Sequence, residues 1–226
     1  MVDSVSRADL FLKAGFEWDD VDHILIPATA ADCEAVRLTE LQLRMPLDKV
    51  QRLTPQCQVS CEFLIQPSLP SVSNGSAPWV VEFHRNILSP VEPQGSGRLF
   101  IPRYGSRSLT NQREVEVLLA EHGFDLADMA NFSHLRRQVG AARHVVAVHG
   151  AAMTNLIYAA SGTRVLELIP TDHLNGSYRC MCAWKDMPYA AIAGPSLKSH
   201  GLYSGMQKTI HLQSISIKFV VVSWRC

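Results

Sequence analysis

The sequence predicts an α/β protein built on a Rossmann-like, mostly parallel sheet. Three apolar runs, Arg98–Arg103, His144–Val148 and Arg164–Ile169, have the length and composition of buried strands. Stretches of about ten residues with helical spacing of apolar positions separate them. Glycine or proline closes most of these elements. Strands alternating with helices give βαβ units, and hence a parallel sheet wrapped by helices.

The elements follow in order. A helix is expected near Ala8–Ala14, closed by Gly15, and then a short strand His23–Ile26 ended by Pro27. A helix from about Asp32 to Met45 and a strand around Cys61–Ile65 come next. Ser68–Pro78 and Ser89–Gly97 are polar links rich in turn formers, with a helix Trp79–Leu88 between them. Beyond the strand Arg98–Arg103, the stretch Asn111–His122 places Val115, Leu118 and Leu119 on one helical face, with Gly123 as the stop. Ser133 is the expected N-cap of a helix running to Ala142. The strand His144–Val148 leads into a helix Ala152–Ala160, closed by Ser161-Gly162, and Pro170 ends the strand that follows. Two parts result, residues 1–90 and residues 91–226.

Composition narrows the function. The chain has 226 residues, 47% of them hydrophobic, with 21 basic and 21 acidic side chains. No block of like charge occurs, so a nucleic-acid surface has no compositional support. The apolar stretches fall short of the roughly 20 residues that span a bilayer. Met1–Asp9 lacks the pattern of a signal peptide, and a cytoplasmic protein is expected. The cysteines, at positions 33, 57, 61, 180, 182 and 226, form no paired CxxC knuckles. Reduced thiols and no structural zinc are the expectation. Three Asn-x-Ser triplets, at Asn74, Asn131 and Asn175, carry little weight without a leader.

In parallel sheets ligands collect at the carboxyl ends of the strands. There the run Val145–Asn155 passes from a β-branched strand through Gly150, Ala151 and Ala152 directly into a helix. Small residues let a ligand approach the backbone, and the amides of a first helical turn with the helix dipole suit a diphosphate. His149 and Asn155 are placed to face that ligand; the other reading is a tight turn whose small residues serve packing. Glu167 sits in an otherwise apolar strand, where a carboxylate needs a partner. It either bonds sugar hydroxyls, or lies at an edge, or pairs with an arginine. Arg103 and Arg107 bracket a loop after the first strong strand, and are either anion-binding forks or surface arginines. The histidines at 84, 122, 134, 144, 173, 200 and 211 read as surface or capping residues. Asp19, Asp20, Asp22 and His23 are acceptor-side candidates with nothing to single one out.

The ordered set RLFIPR-YGSR-SLTNQREV, GF, then FSHLRRQVGAARHVVAVHGAAMTNLIYAASGTRVLELIP resembles the core of glycosyltransferase family 61 over residues 98–170. The residues that carry the resemblance are Arg103, Arg107, Asn111, Gln138, His149-Gly150-Ala151, Asn155 and Glu167. It implies a GT-B type enzyme that moves a sugar from a nucleotide diphosphate, with UDP the expected carrier, to a hydroxyl of a glycan acceptor. Inversion, no bound metal and no other cofactor are implied. Residues 91–226 would be the nucleotide-sugar-binding lobe and residues 1–90 a partial, acceptor-side lobe. Arg103 and Arg107 would neutralise the diphosphate, with Asn111 close by. Gly150, Ala151, Thr154 and Asn155 would hold it, Glu167 would take the ribose, and His149 is the candidate base. A membrane-associated polysaccharide assembly machinery is an expected partner.

Three features depart from the family pattern. Gln112 stands where a Glu is usual, the front part is short, and the tail Ile215–Cys226 does not match a closing helix. The alternative is a catalytically incomplete nucleotide-sugar-binding domain that needs a partner chain. A Rossmann-like oxidoreductase lacks its G-x-G-x-x-G, and a serine hydrolase its G-x-S-x-G.

Overall fold

Five parallel strands from the second half of the chain form the central sheet, and their order is what positions a site. The computed structural model describes residues 2–27, 43–54, 56–72, 75–87, 97–105, 108–197 and 209–210. The chain divides into two compact units, Met1–Pro90 and Val91–Cys226.

In the first unit, helix α1 (Val2–Lys13) packs on helix α2 (Pro78–Ile87). Phe11 stacks on Phe16 and Trp18, with ring centroids 5.3 and 5.1 Å away. Strands β1 (Ile24–Pro27) and β2 (Val50–Leu53) pair in parallel, Ile24 opposite Val50. Strands β3 (Ser71–Val72) and β4 (Gly75–Ser76) pair antiparallel. His84, expected at the surface or in a cap, is instead completely buried on α2 and bonds Ser6 of α1 at 3.1 Å. The strand expected at Cys61–Ile65 does not form, and Phe63 there is 86% exposed. An apolar run becomes a strand only with a ladder partner, and β1 takes β2 instead. Most of the helix expected over Asp32–Met45 lies outside the described residues, as does the tail Ile215–Cys226.

The second unit holds β5 (Gly97–Ile101), helix α3 (Gln112–Glu121), β6 (Phe124–Leu126), helix α4 (Phe132–Ala141) and β7 (Ala142–Val148). A 3-10 helix (Ala151–Tyr158), β8 (Arg164–Pro170), helix α5 (Ser177–Trp184) and β9 (Tyr189–Gly194) follow. β10 (Ser196–Leu197) and β11 (Thr209–Ile210) make a short antiparallel pair. The parallel order is β6-β5-β7-β8-β9. Numbered within the unit this is 2-1-3-4-5, a doubly wound order whose direction of winding reverses between β5 and β7.

Leu99, Phe100 and Ile101 are all buried, as a strand covered on both faces requires. One face carries Phe100, Val146, Val148 and Leu168, and Val115 and Leu119 of α3 pack on it. α4, the 3-10 helix and α5 form the opposite cover, with Leu135, Val139, Met153, Leu156 and Met181 buried. Gly123, at φ +75°, ends α3 in the left-handed conformation that glycine adopts at least cost.

The α4 N-cap is Asn131, whose side chain accepts from the His134 amide at 2.8 Å, rather than Ser133. The segment after His149 is a 3-10 helix that ends at Tyr158, tighter and shorter than the helix expected over Ala152–Ala160. Among the described residues, no helix is long and apolar enough to cross a membrane.

Candidate functional site

In a doubly wound sheet, ligands bind outside the carboxyl ends of the strands where the winding reverses. Here that point lies between the ends of β5 and β7, so it is flanked by Pro102-Arg103 and by His149-Gly150-Ala151. Arg103 Nη1 donates to the His149 carbonyl at 3.4 Å. Its guanidinium also fills the space over Gly150: a Cβ there would lie 2.9 Å from Arg103 Cζ and 3.3 Å from Cδ. A side chain at Gly150 would therefore have to displace the Arg103 guanidinium, although the glycine's φ of 166° is extended backbone open to any residue.

The Gly150 carbonyl accepts from the Met153 amide at 2.9 Å and from the Tyr178 hydroxyl at 2.7 Å. Both bonds hold the turn rigid. The first amides of the 3-10 helix are those that a helix start leaves without intrahelical acceptors. A guanidinium and a set of amides thus meet at one strand end, an arrangement suited to an anion.

Beneath the turn runs a chain of three polar side chains. His149 Nδ1 bonds Glu167 Oε1, and the Tyr189 hydroxyl donates to Glu167 Oε2. The register explains the geometry. Glu167 of β8 is paired with Ala147 and Ala191, so His149 lies two residues beyond and Tyr189 two residues before it on the flanking strands. Diagonal neighbours on one sheet face are within reach of long side chains. Glu167 has no exposed surface and His149 is 4% exposed. The His149 ring packs edge-on against His173 and Tyr178, at centroid distances of 5.2 and 5.4 Å.

These groups lie in a low-dielectric setting. Burial foremost, then the hydrogen bond to Glu167 and its charge, push the Tyr189 phenol far above its ordinary range. Burial foremost, with the charge of Glu167, pushes the Cys182 thiol up to about 12. Both stay protonated near neutral pH.

The structure brings Arg103, His149, Gly150, Ala151 and Glu167 together. Glu167 turns to two protein partners, not to an arginine and not to the surface where a ribose would reach it; β8 is an interior strand, not an edge. Asn111 lies at the same end of the sheet, at the start of α3, with its amide bonded to Glu114 at 3.3 Å. Thr154 and Asn155 are half-buried, and Asn155 Nδ2 bonds back to the Ala152 carbonyl at 2.9 Å. Arg107 lies outside the described residues. Gln138 ties α4 to the end of β6, accepting from the Asp128 amide at 2.9 Å and donating to the Leu126 carbonyl at 3.3 Å. In the first unit, Asp20 accepts from the Glu17 amide, Asp19 pairs with Lys49 and His23 bonds Gln51.

Three residues were missed by the sequence reading: His173, Tyr178 and Tyr189. His173, read as a surface or capping residue, packs on His149. The strand-end rule would have pointed to it, three residues past Pro170. Tyr189 gave no signal, because its strand, Tyr-Ala-Ala-Ile-Ala-Gly, has few of the β-branched residues by which strands are read.

This α/β protein, with Arg103 and the His149-Gly150 turn at the reversal point of its sheet, is a glycosyltransferase. The chain belongs to glycosyltransferase family 61: residues 1–166 match the family model described as Glycosyltransferase 61. That span includes Arg103, Arg107, Asn111 and the His149-Gly150-Ala151 turn, and ends one residue before Glu167. No curated protein matches the chain.

Proposed function

We propose that the chain transfers a sugar, with inversion and without a metal, from a nucleoside diphosphate to a glycan hydroxyl, and that the second unit is a GT-B type donor lobe. The observation that carries this reading is the Arg103 guanidinium against Gly150 at the reversal point of the sheet. The diphosphate would lie beside the turn of Gly150, Ala151, Thr154 and Asn155, on the outer side of the Arg103 guanidinium that covers Gly150, with Arg103 and Arg107 taking its charge. Fixed cations and amides stabilise a leaving diphosphate as it departs. UDP is the expected carrier.

His149 would be the base. An ionised Glu167 can only accept, so the neutral His149 ring carries its proton on Nδ1 and its lone pair on Nε2. The acceptor oxygen forms its bond to the anomeric carbon, the bond to the diphosphate oxygen breaks, and the acceptor proton passes to Nε2. A positioned base contributes roughly 10²- to 10⁴-fold. His149→Gln should therefore lower kcat by about that factor with chelator present, while UDP affinity stays within about threefold. Full turnover in His149→Gln would remove the base assignment. Loss of all turnover of the native protein to chelator would remove the metal-free reading.

A second reading, favoured by Gln112 standing where the family usually has Glu, is a nucleotide-sugar-binding protein completed by a partner chain, in a membrane-associated polysaccharide assembly or elsewhere. UDP binding without turnover, with turnover restored by a candidate partner, would select it.

A further inference from the structure

We propose, resting on the base role of His149 above, that Tyr189 is a positioning residue: by donating to Glu167 it keeps that carboxylate ionised, and so keeps Nε2 of His149 free to accept a proton. Glu167 is completely buried, and each of its oxygens has one side-chain partner. A buried carboxylate without donors is costly, and the two bonds offset that cost. The Tyr189 phenol is held protonated by the same environment, so it remains a donor wherever the enzyme works.

The other groups facing this chain do not replace that donor. From α5, Cys182 stays a neutral thiol and Arg179 acts on Tyr189 through its charge, and Lys185, just past the helix, acts on Cys182. Tyr178 spends its hydroxyl on Gly150, and Arg103 reaches the His149 carbonyl rather than the ring. His173 meets the His149 ring edge-on. Among the described residues, Tyr189 alone donates to Glu167 Oε2.

Tyr189→Phe keeps the ring and removes the donor. The form with Glu167 charged and His149 neutral then loses more than the form in which His149 also carries a proton. The ring therefore holds its proton to higher pH, and at a given pH a smaller fraction of His149 can act as base. Hydrogen bonds to charged groups are strong enough to move this balance by about one pH unit.

The test is nitrogen NMR of protein labelled with ¹⁵N-histidine, with His149 identified by the signal lost in His149→Gln. The native protein should show His149 as the Nδ1–H tautomer at alkaline pH. In Tyr189→Phe the pH at which the ring takes up its second proton should rise by about one unit. The acid limb of the kcat profile should rise by the same amount, with donor KM unchanged. A native His149 protonated on Nε2, or the same midpoint in both proteins, would overturn the role of Tyr189. Absence of turnover in the native protein would instead count against the isolated chain as an active enzyme, and the spectra would still decide what Tyr189 does.

Discussion

Replacing Gly150 by alanine separates the functional demand on that residue from the structural one. Its backbone is extended, a conformation alanine adopts freely, so no strain enters from φ. The new Cβ would fall on the terminal nitrogen of Arg103, 2.9 Å from Cζ. The obstacle is the end of a flexible side chain, so the guanidinium swings aside and the fold survives. The 3.4 Å bond from Arg103 to the His149 carbonyl is lost, worth about 1 kcal/mol or less. What the ligand loses is larger. A charge-assisted hydrogen bond contributes about 1.5–3 kcal/mol, which at about 1.4 kcal/mol per decade is roughly 10- to 150-fold in Kd. Calorimetric titration with UDP should show that weakening, while the melting temperature falls by only a few degrees. Arg103→Ala should weaken UDP by a similar factor. The double variant should be little worse than either single one, because both remove the same contact. Unchanged affinity in Gly150→Ala, or losses that add in the double variant, would refute the reasoning.

Other perturbations test the fold around the site. Asn131→Ala removes the α4 cap and should cost about 0.5–2 kcal/mol in urea unfolding, with Ser133→Ala costing less. His144 is lowered from its ordinary value by burial first, with Arg164, Arg98 and Arg143 adding to the effect. Its neutral ring is favoured in the fold, so as pH falls the unfolded chain takes the proton first. The stabilisation is fully present above about pH 6.5, the unfolded value, and is lost below it. His144→Gln should then show a flatter melting temperature than the native protein between about pH 7 and about pH 5. Among the described cysteines, Cys57 is exposed and lowered by its bond to Thr54, whereas Cys182 is buried and raised. A thiol reagent at neutral pH should label Cys57 well before Cys182, read by peptide mass spectrometry.

Much of the second unit was legible because its strands are apolar on both faces. Arg98–Arg103, His144–Val148 and Arg164–Ile169 announce themselves by composition, and the observed strands differ from them by one or two residues. β9 was not legible, because small residues at a sheet edge look like a loop. Neither was the order of the strands, on which the position of the site depends. The buried Glu167 signalled that it needed a partner, but not which one. His149 and Tyr189 reach it only through a diagonal register across three strands, and register is a property of the folded sheet. The apolar run near Phe63 misled for the complementary reason, since nothing in a sequence says whether a strand will find a ladder.

A nucleoside diphosphate is expected to bind at the reversal point between β5 and β7 without a metal. Hydrogen exchange with and without saturating UDP, in the presence of a chelator, tests it most directly. Slowed exchange confined to peptides covering Arg103–Gly105 and His149–Asn155 is the predicted result. Slowed exchange elsewhere in the chain, or none while binding is measurable, would contradict it.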